Sequence, residues 1–191
     1  MYNLLLDSVA MHVELSAAER EYFLSLLHNR RLKKKQFLNQ EGDVSKGPAF
    51  VLQGILRSYS LDKNGFEHIL QFAPPGWWIG DMYSLKYNQP GRLNIDAVTE
   101  SEIAWLWKSD LENLYLRVPK FERFFRILAE NSIVAYQSRL ISALSLPALD
   151  RYARFCSQYP TLTDRLPQKQ IAAYIGVTPE FLSKMLNAHS S

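Results

Sequence analysis

Residues 166–186 read Leu166-Pro-Gln-Lys-Gln-Ile-Ala-Ala-Tyr-Ile-Gly-Val-Thr-Pro-Glu-Phe-Leu-Ser-Lys-Met-Leu186. This segment predicts two short helices around one tight turn, which is a helix-turn-helix. The first helix is expected to run from Gln168 to Ile175. Gly176 stands where the end of a helix needs a left-handed backbone, and Thr178 with Pro179 gives the next helix an N-cap and a first-turn proline. The end of one helix and the start of the next are therefore both encoded.

The second helix is expected to bury one face and expose the other. Phe181 or Leu182 would be buried, together with Met185 and Leu186. The outer face carries Pro179, Glu180, Ser183 and Lys184. In a DNA-binding helix-turn-helix this face enters the major groove. Any helical hairpin can carry the same turn signals, so a solvated helix face without DNA is the alternative.

Composition limits the class of protein. The chain has 191 residues, of which 47% are hydrophobic, enough for one large or two small domains with a real core. Its net charge of +3 is compatible with nucleic acid without requiring it. The single Cys156 argues against an internal disulfide, a four-cysteine iron–sulfur cluster and a structural zinc finger. There is no signal peptide and no apolar run of about 18 residues, so we expect a cytoplasmic protein without a membrane partner.

The middle of the chain has the turn spacing of a small β-structure. Seven of the eight glycines lie between Gly42 and Gly91. The runs between and after them include Phe50-Val-Leu, Ile55-Leu-Arg-Ser-Tyr-Ser-Leu, Glu67-His-Ile-Leu-Gln-Phe and Ile103-Ala-Trp-Leu-Trp. Several alternate with a period of two, and Asp62-Lys-Asn-Gly65 between two of them predicts a hairpin turn. We therefore expect an antiparallel β-roll or barrel.

Two features precede this roll. Ser16-Ala-Ala-Glu19 is a capping box that opens a short amphipathic helix, expected to pack on the roll as a lid. Five cations follow between Arg30 and Lys35, interrupted by Leu32. Such a run more often protects a strand edge and solvates a surface than binds a partner.

One long helix is predicted after the roll, from Lys120 to Leu146, because this segment has no glycine or proline and repeats apolar residues at helical spacing. Its apolar positions cover more than one face, so it must pack on its own domain and on something else. A second copy of the chain is the economical partner. Replacing Leu128 or Ile133 by Asp is expected to break this dimer. Pro147 ends the helix.

The order of these segments resembles the Crp/Fnr superfamily of bacterial transcription regulators over essentially the whole chain. The supporting residues in the roll are Gly42-Asp43, Val51 to Gly54, Asn64-Gly-Phe-Glu67, Pro75-Gly76 and Ile79-Gly80-Asp81. Those that follow are Gln137-Ser-Arg-Leu140, Asp150-Arg-Tyr152 and the terminal helix-turn-helix.

The resemblance implies an α+β protein in three parts. Residues 1–116 would be a cyclic-nucleotide-binding-like sensor domain, an antiparallel β-roll of the double-stranded β-helix or jelly-roll kind. Residues 117–146 would be a dimerisation helix, and residues 147–191 a small DNA-binding helix-turn-helix domain. Its wing is expected to be reduced, because the chain ends just after the second helix of the motif.

The resemblance also implies a small-molecule effector in the roll. The expected ligand-binding residues are Gly80, Asp81, Met82, Arg92, Tyr136 and Gln137. Nucleotide-binding members hold the cyclic phosphate with a glycine–glutamate pair and a later arginine–serine pair, whereas here the acid is Asp81 and the second position reads Gly91-Arg92 without a serine. A one-residue shift in a strand turns Arg92 to the other face. We therefore expect cyclic AMP to bind weakly or not at all, and the effector to be another anionic or apolar molecule.

The expected DNA-binding residues are Gln168, Lys169, Thr178, Pro179, Glu180, Ser183 and Lys184. Among them, Glu180 and Lys184 would read base edges, while Gln168, Lys169 and Thr178 would hold phosphates near helix N-termini. The implied partners are a near-palindromic site on double-stranded DNA, a second copy of the chain, and RNA polymerase.

Two other functions are open at this point. A sensor or protein-interaction module that has lost DNA binding is the main alternative, because of the reduced wing. A metal-dependent enzyme of the cupin kind would need two or three histidines with a carboxylate, whereas His68 stands alone in the roll and His12, His28 and His189 are scattered. We expect no catalytic residue, metal site, iron–sulfur cluster or haem, and we expect Trp77 and Trp78 to be packing residues.

Overall fold

A computed structural model describes residues 2–189, except for the side chain of His189. The chain begins with α1 (Asn3–Ala10) and α2 (Ala17–Ser25), followed by β1 (Leu27–Leu32), β2 (Phe37–Asn39), β3 (Ala49–Gln53), β4 (Leu56–Leu61), β5 (Glu67–Ala73) and β6 (Trp78–Ile79). The short helix α3 (Met82–Tyr87) precedes β7 (Asn94–Ala97) and β8 (Ser101–Leu106). The described chain then continues as α4 (Lys108–Arg117), α5 (Lys120–Ser145), α6 (Ala148–Gln158), α7 (Gln168–Ile175) and α8 (Pro179–His189).

The chain divides into two compact units. The first comprises the residues up to Ser60 together with Gln71–Glu130, and the second comprises Leu61–Leu70 and the chain from Asn131 onward. The boundary falls inside α5, so each unit contains about half of this helix. The tip of the β4–β5 hairpin belongs to the second unit.

The strands form two antiparallel four-stranded sheets. Their strand orders are β1-β8-β3-β6 and β2-β7-β4-β5. The sheets enclose an apolar core that includes Leu56, Ile95 and Ile103. The predicted antiparallel β-roll is therefore confirmed. Because β1 is the outermost strand of its sheet, the basic run that begins in it lies at a strand edge, as predicted.

A second core of the first unit lies between the roll and its helices. Its fully buried members include Leu5, Phe23, Leu106, Leu114, Phe121 and Phe124. The predicted capping box opens α2: Ser16 Oγ accepts the Glu19 N–H at 3.2 Å, and the Glu19 carboxylate accepts the Ser16 N–H at 2.7 Å. Leu128 packs partly against this core. Its replacement by Asp would damage the first unit and would not isolate a dimer contact.

The helix-turn-helix of the second unit follows the sequence-based prediction closely. Gly176 has a φ of +74° and caps α7 with its backbone N–H on the Ala172 carbonyl. Thr178 Oγ1 accepts the Phe181 N–H at 3.2 Å, which is the N-cap bond of α8. Leu182 is fully buried, whereas Phe181 is 52% exposed, so the structure selects Leu182 as the core residue. Between Ala148 and His189, the described residues form the helices α6, α7 and α8 and the segments that join them.

Candidate functional sites

Asp81 organises the loop where a nucleotide phosphate would be expected. The side chain is buried, and its Oδ1 caps α3 by accepting the Ser84 N–H at 3.1 Å. Its Oδ2 accepts the backbone N–H groups of Arg92 and Leu93 at 2.8 and 3.1 Å. Both carboxylate oxygens therefore accept hydrogen bonds, and these bonds connect the residues before β7 to the start of α3.

Gly91 permits this arrangement because a side chain at its position would collide with Asp81. An added Cβ would lie 2.6 Å from Asp81 Oδ2 and 3.2 Å from the Asp43 carbonyl oxygen. The Gly91 backbone also pairs with the turn after β2: its N–H donates to the Asp43 carbonyl at 2.8 Å, and its carbonyl accepts the Gly42 N–H at 3.0 Å. The three loops form one hydrogen-bonded cluster.

The side chains of Met82 and Arg92 are exposed to solvent. Met82 is 68% exposed. The exposed Arg92 guanidinium lies 4.0 Å over the ring of Tyr83. The structure thus brings Gly80, Asp81, Met82 and Arg92 to one loop cluster of the first unit, and Gly80 also lines the cavity described below.

Tyr136 and Gln137 lie on the half of α5 that belongs to the second unit. Both are exposed. Partial burial raises the pKa of the Tyr136 phenol above its ordinary value, and Arg139 opposes that shift.

A cavity of about 430 Å³ lies in the first unit, next to Gly80. Other lining residues include Arg30, Asn39, Lys46, Trp105 and Trp107. The two indoles pack at 4.3 Å between ring centres with 38° between their planes, and Lys46 Nζ is 5.8 Å from the centre of the Trp107 ring. Among the described residues, Asp43 is the only acid in the lining. Aromatic faces with two cations suit a flat, anionic molecule.

This cavity was not predicted from the sequence. Trp105 and Trp107 are two positions apart, and that spacing places side chains on one side of an extended chain. The spacing of these two tryptophans was the signal in the sequence that could have indicated the cavity. It could not show that Arg30 and Lys46, from distant parts of the sequence, reach the same cavity.

The predicted DNA-binding residues occupy the two helices of the helix-turn-helix. Gln168 and Lys169 are exposed in the first turn of α7, and Thr178, Glu180 and Lys184 are exposed at and along α8. Pro179 and Ser183 are half-buried. Opposite them, Ile171, Ala172, Ile175 and Leu182 are buried.

Phe181 is an additional exposed residue on α8. Lys184 lies three residues after Phe181 and four after Glu180, so its side chain is a neighbour of both on the helix surface. The sequence left Phe181 and Leu182 as alternatives for the core. With Leu182 buried, Phe181 becomes part of the outer face.

The second half of α5 exposes an apolar stripe. Its members are Ile133 (55% exposed), Val134 (60%), Leu140 (60%), Ile141 (62%) and Leu144 (80%). Ile133 and Leu140 are seven residues apart, as are Val134 and Ile141, which is the spacing of a coiled-coil seam. The stripe meets the geometric requirement for packing against a second helix.

The described histidines occupy separate environments. His12 packs against Phe124, His28 lies edge-on to Trp105 and Trp107, and His68 Nε2 is 3.2 Å from Asp62 Oδ2. The side chain of His189 is outside the described atoms. Within residues 2–189 no three His, Cys, Asp or Glu side chains are arranged to hold a metal ion. Over the same residues no helix is long and apolar enough to cross a membrane.

The tryptophans at 77 and 78 differ in environment. Trp78 packs edge-on against Phe50 and Phe125, with ring centres 5.4 and 5.1 Å apart. It is thus a packing residue, as predicted. Trp77 is 36% exposed.

Comparisons with known proteins agree with this architecture. Residues 29–117 match the cyclic nucleotide-binding domain family. The chain is 25% identical to the transcriptional activatory protein AadR of Rhodopseudomonas palustris, over 90% of this chain and 74% of AadR. It is 26% identical to the probable transcriptional regulator flp of Lacticaseibacillus casei, over 85% of this chain and 76% of flp. The solved structure of CLP, a c-di-GMP-responsive global regulator of Xanthomonas campestris, has the same fold, with a TM-score of 0.77 and 17% identity over 92% of both chains.

A β-roll of the cyclic nucleotide-binding kind followed by a helix-turn-helix is the architecture of a class of transcription regulators. Residues 29–117 belong to the cyclic nucleotide-binding domain family, and the chain has the architecture of Crp/Fnr-type regulators. Its relatives are named regulators of transcription, which supports the prediction of a DNA-binding regulator.

Proposed function

We propose that two copies of this chain, joined through α5, bind a near-palindromic DNA site under the control of a small molecule in the β-roll. The observation that carries the DNA-binding part is the outer face of α8. Glu180, Phe181 and Lys184 are exposed there, while Leu182 anchors the opposite side in the core of the second unit. A helix held in this way can enter the major groove without losing its own packing.

The three exposed side chains of α8 have complementary chemistries for base edges. Lys184 can donate to O6 and N7 of guanine, and Glu180 can accept from the amino group of cytosine. Phe181 can contact the methyl group of thymine. Together they would read a short half-site.

Contacts to phosphate would come from the starts of the two helices. Gln168 and Lys169 lie in the first turn of α7, where free backbone N–H groups also favour an anion. Thr178 Oγ1 accepts the Phe181 N–H, which leaves the hydroxyl proton of Thr178 free to donate to a phosphate oxygen. These groups would set affinity and register without selecting bases.

The apolar stripe on α5 is the proposed dimer contact. Gln137 and Leu144 share the seven-residue spacing of the stripe, so Gln137 would be a polar position within the seam. A polar residue at such a position fixes the alignment of two helices at some cost in stability. This role is an alternative to ligand contact for Gln137. Two-fold symmetry of the dimer would then match a near-palindromic site.

For the effector, we propose the cavity beside Trp105 and Trp107. Its volume of about 430 Å³ is that of a small-molecule site. Arg30 and Lys46 would attract an anionic group, and the indoles would pack on a flat ring. The Asp81–Arg92 loop offers less to a cyclic phosphate, since both Asp81 oxygens accept backbone N–H groups and Arg92 is stacked on Tyr83.

Enrichment of DNA sequences by the purified chain from a randomised pool, at low salt, tests this proposal. We expect an enriched motif with two related half-sites about one helical turn apart. A chain that acts only as a sensor or protein-interaction module would enrich no sequence above the level of a variant lacking α8. RNA polymerase stays a predicted further partner, to be tested by co-purification on the enriched DNA.

A further inference from the structure

The second unit contains a cavity of its own, of about 450 Å³. It is bounded by His68 of β5, by residues of α5 and α6, and by the C-terminal end of α7 with Gly176. Every lining residue with a fixed charge is an arginine: Arg139, Arg151 and Arg154. No Asp or Glu belongs to the lining among the described residues, so all the fixed charges of the lining are positive.

Arg151 and Arg154 lie one helical turn apart on α6, an arrangement in which like charges destabilise a helix. Neither guanidinium forms a salt bridge with a carboxylate in the part of the chain that the structure describes. Arg151 Nη1 donates to the Leu146 carbonyl at 3.2 Å, but its Nε is buried without a hydrogen-bond partner. Arg154 Nη1 donates to Ser142 Oγ at 2.9 Å. Each side chain therefore keeps N–H groups for another acceptor, since a guanidinium has five.

Arg139 already donates three of its five N–H groups to backbone carbonyls. Its guanidinium donates to the carbonyl oxygens of Ile69 and Leu70 at 2.5 Å each and to that of Tyr174 at 2.6 Å. These acceptors are neutral, so the positive charge of Arg139 is not cancelled. It strengthens the field in the cavity while Arg151 and Arg154 supply the donors.

We infer that this cavity binds a small oxyanion, a phosphate- or carboxylate-bearing molecule, through Arg151 and Arg154. The volume fits a metabolite-sized ligand. The inference does not depend on the effector proposed for the β-roll, because the two cavities share no residue. The lining includes Tyr174, Ile175 and Gly176, which lead directly into the turn before α8. A bound anion would thus contact the segment that positions the reading helix.

A free anion is favoured over a DNA phosphate by the position of the cavity along α7. The residues proposed to hold DNA phosphates, Gln168 and Lys169, lie at the N-terminal end of this helix, whereas the cavity lies at the other end. The helix has eight residues, which separates its two ends by roughly 10 Å. The two groups of residues therefore serve different ligands.

Calorimetric titration of the full chain with inorganic phosphate, pyrophosphate and citrate tests the inference. We expect saturable binding of one molecule per chain for at least one probe, and the preferred probe distinguishes phosphate from carboxylate chemistry. Arg151→Gln and Arg154→Gln should each weaken binding at least about tenfold, the effect of losing a charge-assisted hydrogen bond. Arg154→Lys should retain part of the affinity. Arg165→Gln, which removes an exposed cation outside the lining, should leave the anion affinity unchanged.

Three results would overturn the inference. The first is an absence of binding heat for all three probes with the unmodified chain, a result that does not depend on how the variants fold. The second is an equal loss of anion affinity in the Arg165→Gln variant, which would show that the anions bind through non-specific attraction to the positive charges of the chain. The third is weaker DNA binding in the Arg151→Gln and Arg154→Gln variants without any binding of free anions, which would assign the cavity to a DNA phosphate.

Discussion

Arg139 and Tyr174 are joined by two contacts. The guanidinium of Arg139 donates to the Tyr174 carbonyl oxygen at 2.6 Å and also lies 4.0 Å over the Tyr174 ring. The same group donates to the carbonyls of Ile69 and Leu70 in β5. One side chain therefore connects α5, β5 and α7. Because α8 follows α7 after a short turn, the placement of the reading helix depends on Arg139.

The first prediction concerns this connection. Arg139→Gln removes the charged, forked donor and should lower the free energy of unfolding by about 2 kcal/mol, as expected for lost hydrogen bonds to a charged group. Amide exchange should rise specifically in Leu61–Leu70 and α7. Denaturant titration and hydrogen exchange measure the two effects. Arg126→Gln breaks an exposed pair with Glu130 on the same helix and should cost less than about 0.5 kcal/mol. Equal effects of the two substitutions would contradict the connecting role.

The second prediction separates base reading from phosphate contact. Lys184→Ala should weaken binding to the preferred DNA site by about 1–3 kcal/mol and relax base choice at one position of each half-site. Lys169→Ala should weaken binding to all sequences alike. Because one phosphate contact is lost, the slope of log K against the logarithm of the salt concentration should fall by about one. Fluorescence anisotropy at several salt concentrations distinguishes these outcomes. Lys34→Ala removes an exposed cation of the first unit and serves as the control. If both variants bind like this control, α8 does not read DNA.

The third prediction addresses the dimer. Ile133→Asp and Leu140→Asp place charges in the exposed stripe of α5 and should raise the dimer dissociation constant on the order of 100-fold, since each residue is lost from both copies. Sedimentation velocity over a range of concentrations measures this change. Arg123→Asp introduces an acid at an exposed position in the first half of α5 and should leave the dimer intact. Unchanged sedimentation in all three variants would remove this helix as the interface.

Local signals made much of the fold predictable. An unbroken apolar repeat predicted the long helix to within one residue of the observed end at Ser145, and Gly176 with Thr178 defined the turn between α7 and α8. These features depend on neighbours in sequence. The sites depend on distant pairs instead. Asp81 accepts hydrogen bonds from N–H groups eleven and twelve residues away. Arg139 donates to the carbonyl of Leu70, which is 69 residues away. No periodicity in one sequence encodes such pairs.

The fourth prediction concerns pH and the β4–β5 turn. Backbone donation from Phe66, with further contacts from His68 and Asn64, holds the pKa of Asp62 below its ordinary value of 3.8. Because the pKa is lowered in the folded chain, the carboxylate stabilises the turn fully above the ordinary value, and this contribution is lost as pH falls through the lower folded value. Protection of the Phe66 amide from exchange should therefore fall under acidic conditions. Asp62→Asn should show low protection already at neutral pH, and Lys63→Gln, in the same turn, should not. A protection factor that is independent of pH in the unmodified chain would contradict this account.

The last prediction tests the effector cavity. The indoles of Trp105 and Trp107 line it, so a bound aromatic ring should quench tryptophan fluorescence. We expect 2-naphthoate to quench more strongly than the uncharged 2-naphthylmethanol, because Arg30 and Lys46 favour the carboxylate. Arg30→Gln should reduce this preference about tenfold, as expected for the loss of one charge-assisted hydrogen bond, whereas Arg31→Gln on the same strand, outside the lining, should leave it unchanged. Cyclic AMP should bind no tighter than about 1 mM, because the Asp81 oxygens are engaged and Arg92 lies on Tyr83. Micromolar binding of cyclic AMP that disappears in Arg92→Ala would place the effector at the Asp81 loop and exclude the tryptophan-lined cavity.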